Sequence, residues 1–395
     1  MEFRFVSNFT MQIIDQGIVY PSHIGTDRQS CAFPGVCVST TGRWLVSFRA
    51  APEKSGLSGQ HPLLCWSDDR GANWSEPIRP FEPPQFDKLT PGSFRAAYLT
   101  ALKDGTLIAA LCWVDDRDPS RAFFNEETEG LLDTRICLSR SKDDGLTWSS
   151  PTFVSSEFDH LPTPLTGPIL QFRDAEDRSL LAIQLELNKP YFDKTPWHHR
   201  SILLLSDNDG HTWSNHIVTS DDPALRIFYW DQRPALVGDN ELLNLFWTFD
   251  RETGEYLNIH ARKTETSYDD WSTFWDTDVP GQPAAPVRLS DGQLVMVYVD
   301  RTETPTIKLR TSKDGGHHWP VESEIILYSQ GASHNLMRPG DMLAAWEEMS
   351  NFAVGLPATA LLPDNELLVI FYAGQSTNET SIHWQCIRAS TSKVM

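Results

Sequence analysis

Basic charge is scarce in this chain of 395 residues: 33 lysines and arginines stand against 53 aspartates and glutamates, for a net charge of −20. Nucleic acids and anionic membrane surfaces both select a basic footprint, so neither is an expected partner. No apolar run is long enough to span a membrane. Residues 1–16 have no apolar stretch behind a basic start. No signal peptide is therefore expected, which points to the cytoplasm and leaves secretion open. Cysteine is sparse as well. Cys31, Cys37, Cys65, Cys112, Cys137 and Cys386 stand singly, mostly in apolar stretches, with no C-x-x-C pair and no Cys/His cluster at zinc spacing. His198 and His199 are adjacent and would point to opposite sides of a strand. Neither a metal nor any other cofactor is expected. Helical periodicity is nearly missing. Only Pro339–Met349 reads as a short helix, inside an insertion at about 329–352.

Aromatic residues are plentiful, with 14 Trp and 20 Phe, so material for a core is not short. One turn recurs. Ser141-Lys142-Asp143-Asp144-Gly145-Leu146-Thr147-Trp148 returns at Ser67–Trp74, at Ser312–Trp319 and, with Asn208 for the Asp, at Ser206–Trp213. The shared pattern is S-x-D/N-x-G-x-x-W. Ser and Asp side chains accept from nearby backbone N–H groups, Gly supplies a left-handed backbone, and Trp covers the apolar layer beneath. These copies resemble the Asp-box (BNR) repeat of the sialidase superfamily, whose members are β-propellers. In that superfamily the boxes face away from the active site, so the resemblance implies that the turns themselves are structural.

A second repeat sets the expected blade count. A short strand, a turn and a Leu/Val-rich strand recur around Thr41-Gly42, Asp104-Gly105, a longer turn before Leu180, Asp239-Asn240, Asp291-Gly292 and Asp364-Asn365. Six copies predict an all-β, six-bladed β-propeller of four-stranded antiparallel blades, filling residues 1–395 as one domain. A box and a fourth strand are expected in blades one, two, three and five, and only a worn box with Trp271 in blade four. Blade six runs out of chain, so a strand at about 11–19 is expected to pair with it and close the ring, removing a free sheet edge.

Chain direction then places the site. Loops entering each first strand and leaving each second strand share the face opposite the boxes, and they are rich in carboxylates, arginines and flat aromatics. That mixture suits a sugar: rings stack on its C–H faces, Arg grips a carboxylate, and paired carboxylates supply acid and base or nucleophile. Arg28, Arg49, His61, Arg95, Trp230, Arg233 and Arg301 are the candidates for binding. Arg338, Glu347 and Glu348 come from the insertion. Asp231 is the first catalytic candidate. Strand alternation in Trp230-Asp231-Gln232-Arg233-Pro234 should send Asp231 and Arg233 to one side, and the Arg should hold the carboxyl ionised. Asp116 and then Glu347 are the candidates for the acid.

Against the sialidase pattern, the F-R-I-P motif reads Cys31-Ala32-Phe33-Pro34, with Ala32 at the Arg position. Leu356-Pro357 stands where the nucleophilic Tyr is placed, ahead of Leu362-Pro363-Asp364-Asn365, and Tyr372 replaces a Glu. The resemblance therefore implies a glycoside hydrolase acting on a terminal sugar, acidic or deoxy, without the Arg-triad and tyrosyl chemistry. A non-catalytic propeller that binds carbohydrate or protein, and a polysaccharide lyase on the same scaffold, are the alternatives.

Overall fold

The most apolar segments are also the most deeply covered. In a computed structural model, which describes residues 8–118, 120–174, 176–330 and 340–392, the strands Trp44–Ala51, Leu107–Asp115, Leu242–Asp250 and Leu294–Asp300 are buried at every position. Apolar side chains on both faces of a strand require cover on both sides, which stacking of sheet on sheet supplies. Leu45 and Leu64 of one sheet meet Leu99, Leu107 and Leu111 of the next. Ala96, Ile108 and Cys112 of that sheet meet Ile183, Leu185 and Ile202 of the one after.

Four sheets are separate antiparallel blades. One holds Gly92–Ala101, Leu107–Asp115, Thr134–Ser141 and Thr152–Phe153; the next holds Leu170–Arg173, Ser179–Leu187, Arg200–Ser206 and Asn215–Asp221. The third is built on Ile227–Leu236, Leu242–Asp250, Asn258–Lys263 and Trp275–Pro280, and the fourth on Gln282–Pro283, Leu294–Asp300, Thr306–Ser312 and Ile325–Ser329, each with one further short strand. The remaining seven-stranded sheet combines Val354–Leu361, Leu367–Ser376, Glu379–Ser392 and Asn8–Tyr20 with Ser30–Val38, Trp44–Ala51 and His61–Ser67.

Six separate blades were expected, and this corrects the count: the described residues form four, plus the seven-stranded sheet. The cause is a single parallel bridge between Ser30 and Thr380. Around it the Cys31 N–H donates to Thr380 Oγ1 at 2.9 Å, and that hydroxyl donates to the Cys31 carbonyl at 2.7 Å. The N-terminal strand runs antiparallel to Glu379–Ser392, from Asn8 opposite Ser392 to Tyr20 opposite Ile382. Two further expectations change. Trp275–Pro280 is a fourth strand where only a worn box was expected, and after His61–Ser67 the fourth strand shrinks to one bridge, Leu64 to Ile78.

The recurrent turns share one set of bonds. In the copy at 141–148, Ser141 Oγ accepts from the Gly145 N–H at 2.9 Å and Asp143 Oδ1 accepts from the Thr147 N–H at 2.9 Å. Gly145, at φ 86°, adopts a conformation that a Cβ would resist. Trp148 Nε1 donates to the Gly145 carbonyl at 3.0 Å. The copies at 67, 206 and 312 repeat the Ser and Asp or Asn bonds. These turns lie at the strand ends they share with the first-to-second-strand turns, as Thr41 Oγ1 donating to Asp144 at 2.7 Å and the Arg70–Asp364 pair at 2.9 Å show.

The helix α1 spans Met342–Ser350, with Asp341 as its N-cap accepting from the Ala344 N–H at 2.8 Å. It starts and ends slightly later than the sequence predicts, and Arg338 and Pro339 lie outside the described residues.

Two stability tests follow from these contacts. Deleting residues 1–19 strips the partner from Glu379–Ser392 and exposes its edge, so the truncated protein should be insoluble or melt well below the full chain in a thermal scan. A truncated chain with unchanged Tm would show that the pairing holds nothing. Among the turn tryptophans, Trp319 is 3% exposed while Trp148 is half-buried. Trp319→Ala should therefore destabilise by about 3–5 kcal/mol in urea unfolding, and Trp148→Ala by less. Equal losses would mean that burial does not set the cost.

Candidate functional site

At the strand ends opposite the turns, residues of all five sheets line one cavity of about 360 Å³. The local device that aims them is a β-bulge. Strand register slips at Ala32/Gly35, Phe94/Ala96, Trp230/Arg233 and Gly355/Ala358, each in the first strand of its set. The residues on these bulges are Phe33, Arg95, Asp231 and Leu356, and all four line the cavity. Phe33, Asp231 and Leu356 take positive φ of 52°, 48° and 46°. Bulges re-aim a side chain, and left-handed backbone at non-glycine residues gathers where surrounding structure overrides its cost.

Asp231 is one of the carboxylates that line the cavity. The bulge breaks the alternation read from the sequence, so Asp231 faces the cavity while Arg233 is buried behind it. The two still meet, Arg233 Nη2 lying 3.5 Å from Asp231 Oδ1. Arg233 Nη1 donates to the Thr166 and Gln232 carbonyls. Gln282 Nε2 donates to Asp231 Oδ2. Glu186 Oε1 accepts from the Asp231 N–H at 2.6 Å, and its other oxygen lies 3.4 Å from His199 Nε2. Burial pushes the Asp231 carboxyl above the usual carboxylate range; Arg233 pulls it down, Glu186 pushes it up again, and Gln282 and Arg301 oppose. The net direction is upward, opposite to the lowering expected from the Arg neighbour alone. Desolvation of the charged form outweighs one imperfect ion pair.

The other candidates divide by position. Glu347 of α1, Arg95, Trp230 and Arg301 line the cavity with Asp231. Arg301 Nη1 donates to Gln282 Oε1 at 3.0 Å, and its guanidinium lies 3.8 Å from the centre of the Phe352 ring. A Cβ on Gly355 would come within 2.2 Å of Arg301 Nη2, so glycine there makes room for that guanidinium. Asp116, Arg28, Arg49, His61 and Arg233 are not cavity-lining residues. Asp116 is raised by burial, with Ser93 as the opposing hydrogen-bond partner. Arg28 donates to the Tyr20 hydroxyl at 3.2 Å. His61 bonds the Gly59 carbonyl at 2.9 Å. Arg49, 1% exposed, donates to the carbonyls of Glu53, Lys54 and Gly56 and so shapes the loop that presents Lys54.

Lys54, Tyr98, Glu186, Gln282 and Tyr372 also line the cavity and were not among the predicted site residues. Lys54 Nζ donates to the carbonyls of Met349 at 2.8 Å and Phe352 at 2.6 Å, tying the end of α1 to the opposite loop. Burial pushes the Tyr372 hydroxyl up to about 12. The apolar wall comes from α1 and the loop before Leu131, where Phe124 stacks on Trp346 at 4.8 Å. Among the described residues no His, Cys, Asp and Glu group is arranged to hold a metal ion, and no helix is long and apolar enough to cross a membrane.

Residues 123–334 match the BNR repeat-like domain family. The chain belongs to that family. None of the curated proteins matches it. Among solved structures, a protein of unknown function from Dyadobacter fermentans is similar over 96% of this chain and 99% of its own, with TM-score 0.71 and 17% identity. A Hadza microbial sialidase is similar over 94% of this chain and 68% of its own, with TM-score 0.63 and 17% identity. An α-L-arabinanase of Penicillium chrysogenum, complexed with arabinobiose, is similar over 95% of this chain and 98% of its own, with TM-score 0.61 and 13% identity. The family and these neighbours bear out the resemblance to the sialidase superfamily. At such identities the likeness shows the fold, a β-propeller of four-stranded antiparallel blades.

In this BNR repeat-like chain the raised Asp231 carboxyl has a consequence for stability. The folded state holds that proton more tightly than the unfolded chain, whose ordinary value is 3.8. The stabilisation from protonation is therefore complete below the unfolded value and is lost as pH rises through the raised folded value. Asp231→Asn should gain stability relative to the native protein as pH rises from about 4 to 7, read as the difference in Tm across that range. A variant that instead loses ground toward neutral pH would show that Arg233 stabilises the ionised carboxylate.

Proposed function

We propose that this chain is a glycoside hydrolase that accepts a terminal sugar in the central cavity. The observation that carries the reading is Asp231, set on a bulge at the cavity wall with its proton held more tightly than usual and Glu186 against its backbone. A carboxyl in that setting suits a general acid, which reverses the role its Arg neighbour implied. Asp231 would give its proton to the glycosidic oxygen as the C–O bond breaks. Glu347 lines the same cavity from α1 and is the second carboxylate, stabilising the anomeric carbon, to which a water oxygen adds while its proton passes to the Asp231 carboxylate. Glu186 and Gln282 act through Asp231 as positioning residues. Arg301, Trp230 and the Phe124–Trp346 stack bind the sugar, and no step needs a cofactor.

The hydrolase names of the sialidase and arabinanase neighbours support hydrolysis. They do not favour a purely binding propeller or a lyase. Ala32 and the Leu356-Pro357 pair support a route other than the Arg-triad and tyrosyl one.

A panel of aryl glycosides tests the reading. Release of the aryl alcohol by the native protein is expected, with turnover reduced at least about 100-fold by Asp231→Asn and the fold retained by circular dichroism. The native rate should fall on the alkaline side as Asp231 loses its proton. Near-normal turnover in Asp231→Asn would sink the assignment and return Asp231 and Arg233 to the status of a structural ion pair.

A further inference from the structure

Aromatic rings in this chain are almost all covered. Among the described residues Phe192 is the one exposed tryptophan, tyrosine or phenylalanine, at 70%. A lone exposed apolar side chain is ordinary on a protein surface and by itself carries nothing. The setting of this one is not ordinary. Phe192 stands in the loop that leaves the second strand Ser179–Leu187, and so lies on the face that carries the cavity. That loop is fastened to the one at 116–133, which supplies Ala122, Phe123, Phe124, Glu126 and Leu131 to the cavity. The Leu131 N–H donates to the Lys189 carbonyl at 3.0 Å, and Asn125 Nδ2 donates to the Tyr191 carbonyl at 2.8 Å. Thr128 Oγ1 donates to that same carbonyl, and Lys194 pairs with Glu127 at 2.5 Å. A Cβ on Gly130 would come within 2.2 Å of the Pro190 carbonyl oxygen, so glycine lets the two loops close on each other. The Asp193 N–H donates to that Pro190 carbonyl at 2.9 Å, which closes a turn around Tyr191 and Phe192.

The backbone at Phe192 is thus fixed while its ring is left in solvent. Tyr191, half-buried, meets that ring edge-on at 5.1 Å between centres, and the Arg121 guanidinium lies 5.4 Å from the centre of each. A turn with no ligand gains nothing from an aromatic ring held this way, since only burial of its apolar surface would stabilise. We infer that Phe192, with Tyr191 and Arg121, forms a second sugar-binding platform beside the cavity, which takes the unit next to the terminal sugar. The Phe192 ring stacks on the C–H face of a pyranose, and Arg121 donates to its hydroxyls. The terminal unit occupies the cavity, walled on one side by α1, and the next unit crosses the rim formed by the 116–133 loop. The ligand class that follows is an oligosaccharide, with recognition on both sides of the bond to be broken.

This inference rests on the central cavity being the sugar site, and its test is independent of turnover. Binding is measured by calorimetry on native protein and on Asp231→Asn, with four disaccharides each set against the methyl glycoside of its non-reducing sugar. The pairs are cellobiose with methyl β-D-glucoside, lactose with methyl β-D-galactoside, maltose with methyl α-D-glucoside, and xylobiose with methyl β-D-xyloside. At least one disaccharide should bind about fivefold or more tightly than its methyl glycoside, the scale of covering one face of an aromatic ring. Phe192→Ala should remove that gap and leave the methyl glycoside's affinity unchanged, while Phe192→Tyr should keep the gap. Disaccharides binding no better than methyl glycosides, binding of none of the eight at millimolar concentration, or an undiminished gap in Phe192→Ala would each overturn the inference. So would an equal loss for both members of a pair. Should Phe192→Ala fail to fold, the paired ligands on native protein and on Arg121→Ala, where the gap should narrow, still decide it. A gap that depends on Phe192 in a protein that cleaves no aryl glycoside would count against the hydrolase reading alone. Cleavage of aryl glycosides with no gap would count against the platform alone.

Discussion

The first strand of a propeller blade ends where side chains would ordinarily alternate into the neighbouring blades and never reach the centre. In this chain a slip in register overrides that alternation, repeated at Phe33, Arg95, Asp231 and Leu356. At three of the four the backbone turns left-handed at a residue with a Cβ. Such a conformation persists only because the ladder on both sides of the bulge is intact and the adjoining second strands are buried at nearly every position. The site therefore depends on the rigidity of the sheets. The bulges convert a structural repeat into four different side chains aimed at one cavity.

Around that cavity the chemistry is uneven. One part is aromatic, contributed by α1 and the loop before Leu131, with Arg95 and Arg301 lying against its rings, and another carries Asp231, Glu186 and Gln282. An apolar wall suits the C–H face of a sugar ring, while the polar side reaches its oxygens. The same wall excludes water from the carboxyls, and desolvation is the leading cause of the upward shift at Asp231 and at Glu348 of α1. Lys54 joins the two sides by bonding the carbonyls at the end of α1.

The fold was largely legible in the chain because it repeats. The S-x-D/N-x-G-x-x-W turns carry their own hydrogen bonds within eight residues, so they read as turns before any partner is known. Paired strands around short turns are similarly local. The errors came where pairing is long-range: the Ser30–Thr380 bridge fuses the first and last strand groups, and the fourth strand Trp275–Pro280 lacks a box to announce it. The site was legible in part. Asp231, Glu347, Arg95, Trp230 and Arg301 share the cavity as their loop positions implied. Arg49, Arg28 and His61 were chosen on residue type, and each instead bonds its own neighbourhood.

What the sequence determined by itself was the repeat, the all-β class, the acidic charge and the face on which polar loops collect, because each depends on local pattern or composition. What only the tertiary structure decided was which side chains reach the centre and in what state. A bulge shifts the two-residue alternation by one, and no local pattern marks it. The protonation of Asp231 depends on burial at the cavity wall and on Glu186, 45 residues away in the chain.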